Sequence, residues 1–357
     1  MREDGFLVID KPPGVTSHDV VAVVRAVTGI KKVGHTGTLD PFATGVLPLA
    51  LGNATRLIQY LDENEKVYDA HVLLGRATDT GDPTGQTIAE APVPALSREQ
   101  VEAVLTTFVG PRMQTPPRYS AVKVAGRPLY QYARKGVDVA AQPRPVTVYG
   151  MELLELAPPR VRVLIRCSRG TYARVLAEEI GVALGTVGHL DELRRTGSGR
   201  FLIDDALTFS RLSELVCGDP AWDRCLRPGR GEARVPWRHR DEVLAGLARH
   251  VMAPRDALRH LPAVAVSPAA ARAWERSGIA PPPPTPECPV WVLLVGDEVI
   301  GVATNKAPVP EAAAAPAPRP SPAPRLRPRV GEGEGGPTVV RRRRPPEGGG
   351  PSREGTS

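Results

Sequence analysis

Lysine is nearly missing from this chain: 7 of the 357 residues are lysine, against 39 arginines. That bias reads as a GC-rich coding sequence and points to no ligand. Cysteine is scarce as well. The four cysteines, Cys167, Cys217, Cys225 and Cys288, form no CxxC pair and have no histidine at metal-ligand spacing, which speaks against a zinc site and leaves buried or inert thiols as the expectation. No metal and no redox cofactor is expected. The N-terminus lacks a charged start followed by an apolar stretch, and no apolar run approaches membrane-spanning length, so a cytoplasmic protein without membrane contact is expected. A regular βαβ rhythm is missing too, which argues against a doubly wound sheet.

What is present is a hydrophobic fraction of 41%, enough to build a core for two domains and leave a tail. Short apolar strands alternate with helical stretches over residues 1–210, which predicts an α+β catalytic domain. Residues 211–245 read as an irregular connector, because between Cys217 and Trp237 the pattern dissolves into Gly, Pro, Asp and Arg. A small unit over 246–306 follows, with a helical stretch, the run Pro281 to Pro284 and a strand-like segment from Val290 to Val295. Residues 307–357 are rich in Pro, Ala, Gly and Arg, a composition too poor in apolar surface to offset ordering entropy, and are expected to be disordered. That tail carries +4 of the net charge of +7. Global basicity is therefore a weak argument for nucleic acid, and any RNA-binding charge must concentrate on one face.

The segment Gly34 to Gly52, GHTGTLDPFATGVLPLALG, is the most informative. Pro41 disfavours the α region for the residue before it, so Asp40 should sit extended in a loop. Leu39, Phe42, Val46 and Leu47 make that loop apolar, so the carboxylate needs a partner or it protonates. An Asp-Pro pair also opens ordinary turns, and the residues alone leave both readings open. In KVYDAHVLL, Tyr68, Ala70, Val72 and Leu74 share one strand face, which points Tyr68 toward the apolar side as a core filler or a catalytic group. The strand Val161 to Ser168 turns through Arg169-Gly170-Thr171 into a helix with Arg174 in its first turn. A cation there opposes the helix dipole unless a carboxylate compensates it. Asp40 is one candidate; Glu178, one turn along, is the other and is favoured by spacing.

The blocks GFLVIDKPPGVTSHDVV, GHTGTLDPFATGVLPLALG, KVYDAHVLLGRATDTGDPTG, YSAVK, RGTYARVLAEEIG and LRRT occur in this order over the first 196 residues. Their order and spacing resemble pseudouridine synthases of the TruB family, in the stand-alone bacterial form. The resemblance implies the mixed-sheet pseudouridine synthase fold with helices and RNA-binding insertions, and a small β-rich, PUA-like C-terminal domain that binds RNA. It implies conversion of the uridine at position 55, in the T-loop of tRNA, to pseudouridine, with the tRNA T-arm as partner, no obligate protein partner and a monomeric enzyme. By position, Asp40 matches the catalytic aspartate, Tyr68 the tyrosine that stacks on the target base and takes part in proton transfer, and Arg174 the arginine that pairs with the aspartate. His35 matches the histidine near the space the base vacates, Tyr172 and Leu193 match pocket-lining positions, and Asp82 matches a residue contacting the flipped nucleotides. Lys11 matches a motif lysine that braces the active-site loops.

The implied reaction breaks N1–C1′ and rejoins the ring through C5 with no atom gained or lost, so it asks for no cosubstrate. The aspartate must be ionised to add to the sugar or base, or to stabilise positive charge on the ribose. Two rivals remain at this point. One is a non-enzymatic RNA chaperone using the same surfaces. The other is a glycosidase with Asp40 as nucleophile, which needs a second carboxylic acid about 5 Å away.

Overall fold

The computed structural model describes residues 4–62, 64–222, 226 and 237–305, all within one compact unit, Met1–Ala307. The tail expected to be disordered lies outside the described residues. Among the described residues, eleven strands form the main sheet: β1 (Gly5–Lys11), β2 (Val33–His35), β3 (Thr44–Leu51), β4 (Glu65–Leu74), β5 (Gly110–Gln114), β6 (Arg144–Ala157), β7 (Arg160–Ser168), β8 (Gly188–Ser198), β9 (Phe201–Leu202), β10 (Leu207–Thr208) and β11 (Val251–Met252). The spatial order is β10-β1-β3-β8-β4-β7-β6-β5, with β2 on β3, β9 on β8 and β11 on β1. The sheet is mixed, because β8 runs antiparallel to β4 and parallel to β3.

Alternation sorts the side chains of this sheet into two cores. Leu7, Ile9, Leu47, Tyr68, Val72 and Ile165 pack on one face with the helices, while Phe6, Val8, Val46, Ala50 and Phe201 pack on the other. Burial on both faces is why β1 and β3 read as nearly continuous apolar runs. Along β4 the burial alternates strictly, with Lys66, Tyr68, Ala70, Val72 and Leu74 buried, as the sequence period predicts.

Helix α1 (Ser17–Thr28) starts at a capping box in which Thr16 accepts from the Asp19 amide and the Asp19 side chain accepts from the Thr16 amide. Its Val20, Val24 and Val27 recur at helical spacing and seat it on the helix-bearing face. Helix α2 covers Arg98–Thr106, and α3, Ala173–Ala183, packs through Leu176, Ala177 and Ile180. Gly181 permits the close approach of α3: a Cβ there would lie 2.5 Å from the Gly188 nitrogen at the start of β8. Any larger residue would lift the helix, and with it Arg174.

At its two ends the stretch 211–245 departs from the irregular connector expected of it, and residues 223–225 and 227–236 lie outside the described residues. Helix α4 (Phe209–Cys217) and helix α5 (Arg240–Leu247) occupy its two ends, and Phe209, Leu212, Val216, Val243 and Leu247 join the main core. The spacing of Phe209, Leu212 and Val216 is that of a buried helix face, which the flanking Gly and Pro residues obscured. Beyond it, helix α6 (Pro268–Ser277) packs Trp274 against a small sheet in the order β12 (Ala263–Ala265), β13 (Val290–Val295), β14 (Glu298–Thr304). The strand expected at Val290 to Val295 is β13.

Cys167 and Cys288 are free and buried, and burial pushes the Cys167 thiol up to about 12, which fits an inert thiol. Cys217 corrects the expectation: it is disulfide-bonded. No helix among the described residues is long and apolar enough to cross a membrane, and they contain no cluster of His, Cys, Asp and Glu able to hold a metal ion.

Candidate active site

The loop between β2 and β3 carries Asp40, and its backbone polar groups are satisfied from three sides. From α1, Ser17 Oγ accepts from the Leu39 amide (3.0 Å) and donates to the Leu39 carbonyl (3.2 Å). From the end of β1, Lys11 Nζ donates to the carbonyls of Pro12 (2.9 Å), Val15 (2.8 Å) and Pro41 (3.1 Å). From β8, Arg195 donates to the carbonyls of Gly37, Thr38 and Val46. The loop re-enters the sheet at Gly45, whose φ of +101° and whose missing Cβ, which would sit 2.2 Å from the Arg195 carbonyl, both require glycine.

Arg174 crosses to this loop from the first turn of α3. Its Nε donates to Asp40 Oδ2 (2.9 Å) and its Nη2 to Asp40 Oδ1 (3.3 Å). The remaining donors reach the carbonyls of Thr80 and Tyr119, both at 2.8 Å. Glu178, favoured by spacing alone, is not the ion-pair partner; Asp40 is, and Asp82 Oδ2 lies 3.8 Å from Arg174 Nη1. The pair is lopsided. The Arg174 side chain is 4% exposed, whereas that of Asp40 is 34% exposed, so the carboxylate keeps a side open to a ligand. The carboxylate also relieves the cost of a cation at a helix start.

Burial raises the Asp40 carboxyl above its ordinary value; the Arg174 charge and hydrogen bond oppose this, Asp82 reinforces it and Lys11 opposes it. Lys11 is fully buried, and burial lowers it to about 8. It is no proton donor aimed at a ligand, since its ammonium is spent on three carbonyls. Burial raises the hydroxyls of Tyr68 and Tyr172. Arg195 pulls Tyr68 back, a hydrogen bond with Ser120 pulls Tyr172 back, and the Asp40 charge pushes both up, so both rings lie within electrostatic reach of the carboxylate.

Tyr172 holds the N-cap position of α3 with no side-chain cap of its own. Gln114, at the end of β5, accepts from its amide (2.8 Å) and donates to its carbonyl (3.2 Å). Leu193 is buried on β8, two residues before Arg195 and on the same strand face. His35 ends β2 and meets the ring of His18 edge-on, with centroids 5.4 Å apart. Asp82 is 6% exposed, and its Oδ1 accepts from Thr80 Oγ1 (2.7 Å), the Thr84 amide (3.0 Å) and Thr84 Oγ1 (2.6 Å). So a second carboxylate does share the guanidinium of Arg174, but it is tied into its own turn, a poor state for the acid that a retaining glycosidase needs.

Two residues that hold these elements in place carry no expectation from the sequence: Arg195, the second arginine of LRRT, and Gln114, shortly before YSAVK. Strand alternation puts Arg195 on the buried face with Leu193, and a charge at an inward position is the signal that finds it. A cleft of about 570 Å³ lies elsewhere, between residues 53–60 and the small sheet, lined by Asn53, Arg56, Trp274 and Glu275 among others. Asp40, Tyr68 and Arg174 do not line it.

Residues 25–173 match the model of the TruB family pseudouridylate synthase N-terminal domain, and residues 174–229 match that of the tRNA pseudouridylate synthase B C-terminal domain. The tRNA pseudouridine synthase B of Geobacter sulfurreducens is 50% identical over 213 residues, covering 60% of this chain and 70% of that one. The Geobacillus kaustophilus protein of the same name is 48% identical over 232 residues, covering 63% and 81%. Among solved structures, a chain in the crystal structure of a Cbf5–Nop10–Gar1 complex superposes with a TM-score of 0.57 at 27% identity, over 85% of this chain and 78% of that one. The mixed sheet with its helices is thus the pseudouridine synthase fold, and the chain belongs to the TruB family of pseudouridine synthases, which are isomerases.

Proposed function

We propose that this protein isomerises the uridine at position 55, in the T-loop of tRNA, to pseudouridine. The observation that carries the reading is the Asp40 carboxylate, held by the Arg174 fork and left open on one side, in a chain whose relatives are named tRNA pseudouridine synthase B. Asp40 acts ionised, adding to the sugar or base or stabilising the ribose cation as N1–C1′ breaks. Arg174 keeps it ionised and aimed, and Tyr68 stacks on the uracil and takes part in moving the proton that leaves C5 or the ribose C2′.

A T-loop base must leave its stack to reach this carboxylate, at a cost of a few kcal/mol. Stacking on Tyr68 offsets about 1–3 kcal/mol of that, and His35 fills the space left behind. Tyr172 and Leu193 line the pocket. Because the Asp82 carboxylate is buried, its part is to order the 79–86 turn that meets the flipped nucleotides and to support Arg174. The small C-terminal unit acts as a PUA-like RNA-binding domain, and recognition runs through T-arm shape and phosphates more than through base edges. The protein works as a monomer in the cytoplasm, without an obligate protein partner.

Pseudouridine mapping in RNA from cells with and without this protein tests the reading. The expected result is loss of the mark at T-loop position 55 of tRNAs. An unchanged map there would overturn it, and extra lost sites in T-loop-like hairpins of other RNAs would widen the substrate class.

A further inference from the structure

Arg195 is 1% exposed, among the most deeply buried charges in the molecule, and the reaction scheme gives it no task. No ion pair involving it is found among the described residues, so its cost of burial is met by carbonyl oxygens. Those carbonyls belong to the two ends of one loop: Nη2 donates to Gly37 (3.1 Å), Nη1 to Thr38 (3.3 Å) and Nε to Val46 (2.7 Å). Asp40 lies between them.

The backbone of Arg195 is placed just as tellingly. Strand β8 lies between β3 and β4, and Arg195 stands opposite Gly45 on one side and opposite Tyr68 on the other. Its guanidinium also pulls down the Tyr68 hydroxyl that burial pushes up, so side chain and backbone both link the Asp40 loop to Tyr68. The three bonds leave from three different guanidinium nitrogens, whereas an ammonium has one nitrogen and, as at Lys11, holds only carbonyls that converge on it. A buried cation is also a poor device for stability alone, since an apolar residue of similar size often packs better.

We propose that Arg195 is a positioning residue for the isomerisation: it locks the Asp40 loop against Tyr68 so that carboxylate and phenol meet the same uridine, without itself touching substrate. The proposal rests on the reading of Asp40 and Tyr68 given above. Displacement of a reacting group by about 1 Å costs on the order of 100-fold in rate.

The test compares Arg195→Met, Arg195→Lys and Asp40→Asn in the full-length protein, using single-turnover conversion of a T-arm hairpin transcript, binding of that transcript and thermal melting. Folded Arg195→Met should lose about 100-fold in rate with affinity changed by less than about threefold, and Arg195→Lys should fall between it and the unmodified protein. A normal rate in folded Arg195→Met, or equal losses of rate and affinity, would overturn the proposal. Should Arg195→Met fail to fold, Arg195→Lys decides by the same split of rate from affinity. An inactive Asp40→Asn beside a fully active Arg195→Met would sink this proposal alone, whereas a fully active Asp40→Asn would sink the reading of the site beneath it.

Discussion

Arg174 and Asp40, 134 positions apart in sequence, face each other through two hydrogen bonds, Nε to Oδ2 at 2.9 Å and Nη2 to Oδ1 at 3.3 Å. The arginine is sealed in and the carboxylate is not. Removing the arginine therefore frees the carboxylate, while removing the carboxylate leaves a buried cation supported by carbonyls and, more distantly, by Asp82. The two residues are not equivalent targets for substitution.

Arg174→Ala should cripple turnover far more than tRNA affinity, and it should destabilise by about 1–3 kcal/mol for each of the Thr80 and Tyr119 carbonyls that stays without a donor. Arg174→Lys should recover little, because Asp40 and the carbonyls of Thr80 and Tyr119 are spread over Nε, Nη1 and Nη2 and do not converge on one nitrogen. Single-turnover rates, filter binding and denaturant unfolding separate these effects. Equal losses in rate and affinity would make Arg174 a binding residue instead.

The Asp40 carboxyl is raised by burial above its ordinary value of 3.8, so the rate should climb with pH through that raised value. Replacing Arg174 or Lys11 with a neutral residue removes a charge that holds the carboxyl down, and should move the climb to higher pH. Linkage gives the sign for stability. Because the folded value lies above the unfolded one, the unfolded state loses the proton first, and the stability this group contributes is lost as pH rises through the folded value. The unfolding free energy of the unmodified protein, compared with Asp40→Asn across acidic pH, should fall in relative terms as pH rises.

Lys11 behaves in the complementary way. Its folded value of about 8 lies below the ordinary 10.5. Between those values the unfolded chain holds more protons, so stability relative to Lys11→Met should increase as pH rises through the window. At neutral pH, Lys11→Met should leave the carbonyls of Pro12, Val15 and Pro41 without this donor and cost about 1–3 kcal/mol for each that stays unsatisfied. Urea unfolding from neutral to alkaline pH checks both statements.

Gly45→Ala should destabilise by more than the roughly 1–3 kcal/mol of a strained residue, because a Cβ would also strike the Arg195 carbonyl at 2.2 Å. It should lower the rate as well, since the Asp40 loop enters β3 at this residue. An alanine variant with unchanged melting temperature and rate would contradict that coupling.

Much of this site was legible in the sequence, and the exceptions have physical causes. The period of two in KVYDAHVLL placed Tyr68 on the buried face of β4 without further help. Helical spacing, by contrast, offered Glu178 to Arg174, because local geometry knows nothing of a loop that returns from 134 positions away. Asp82 enters only through the resemblance, as a contact to the flipped nucleotides, and its polar turn does not reveal that the hydroxyls of Thr80 and Thr84 satisfy it in burial. Arg195 hid inside an Arg-Arg doublet, where strand alternation sends Arg194 outward to pair with Asp10 and Arg195 inward to the loop carbonyls. The helix over Phe209–Cys217 was masked by the Gly and Pro residues that follow it.

Deleting residues 307–357 should leave conversion nearly intact at moderate salt, because every side chain assigned to the site lies before Ala307. A large loss of rate at low salt that added salt narrows would show that the arginines of the tail help capture RNA.

The most direct measurement is pseudouridine formation by Asp40→Asn on a T-arm transcript, with binding of the same transcript measured alongside. Asn keeps the size of the side chain and one oxygen that accepts from Arg174, while it removes the charge and turns the other acceptor into an NH2 donor. The account predicts that conversion is abolished while the transcript still binds. Full conversion by Asp40→Asn would contradict it.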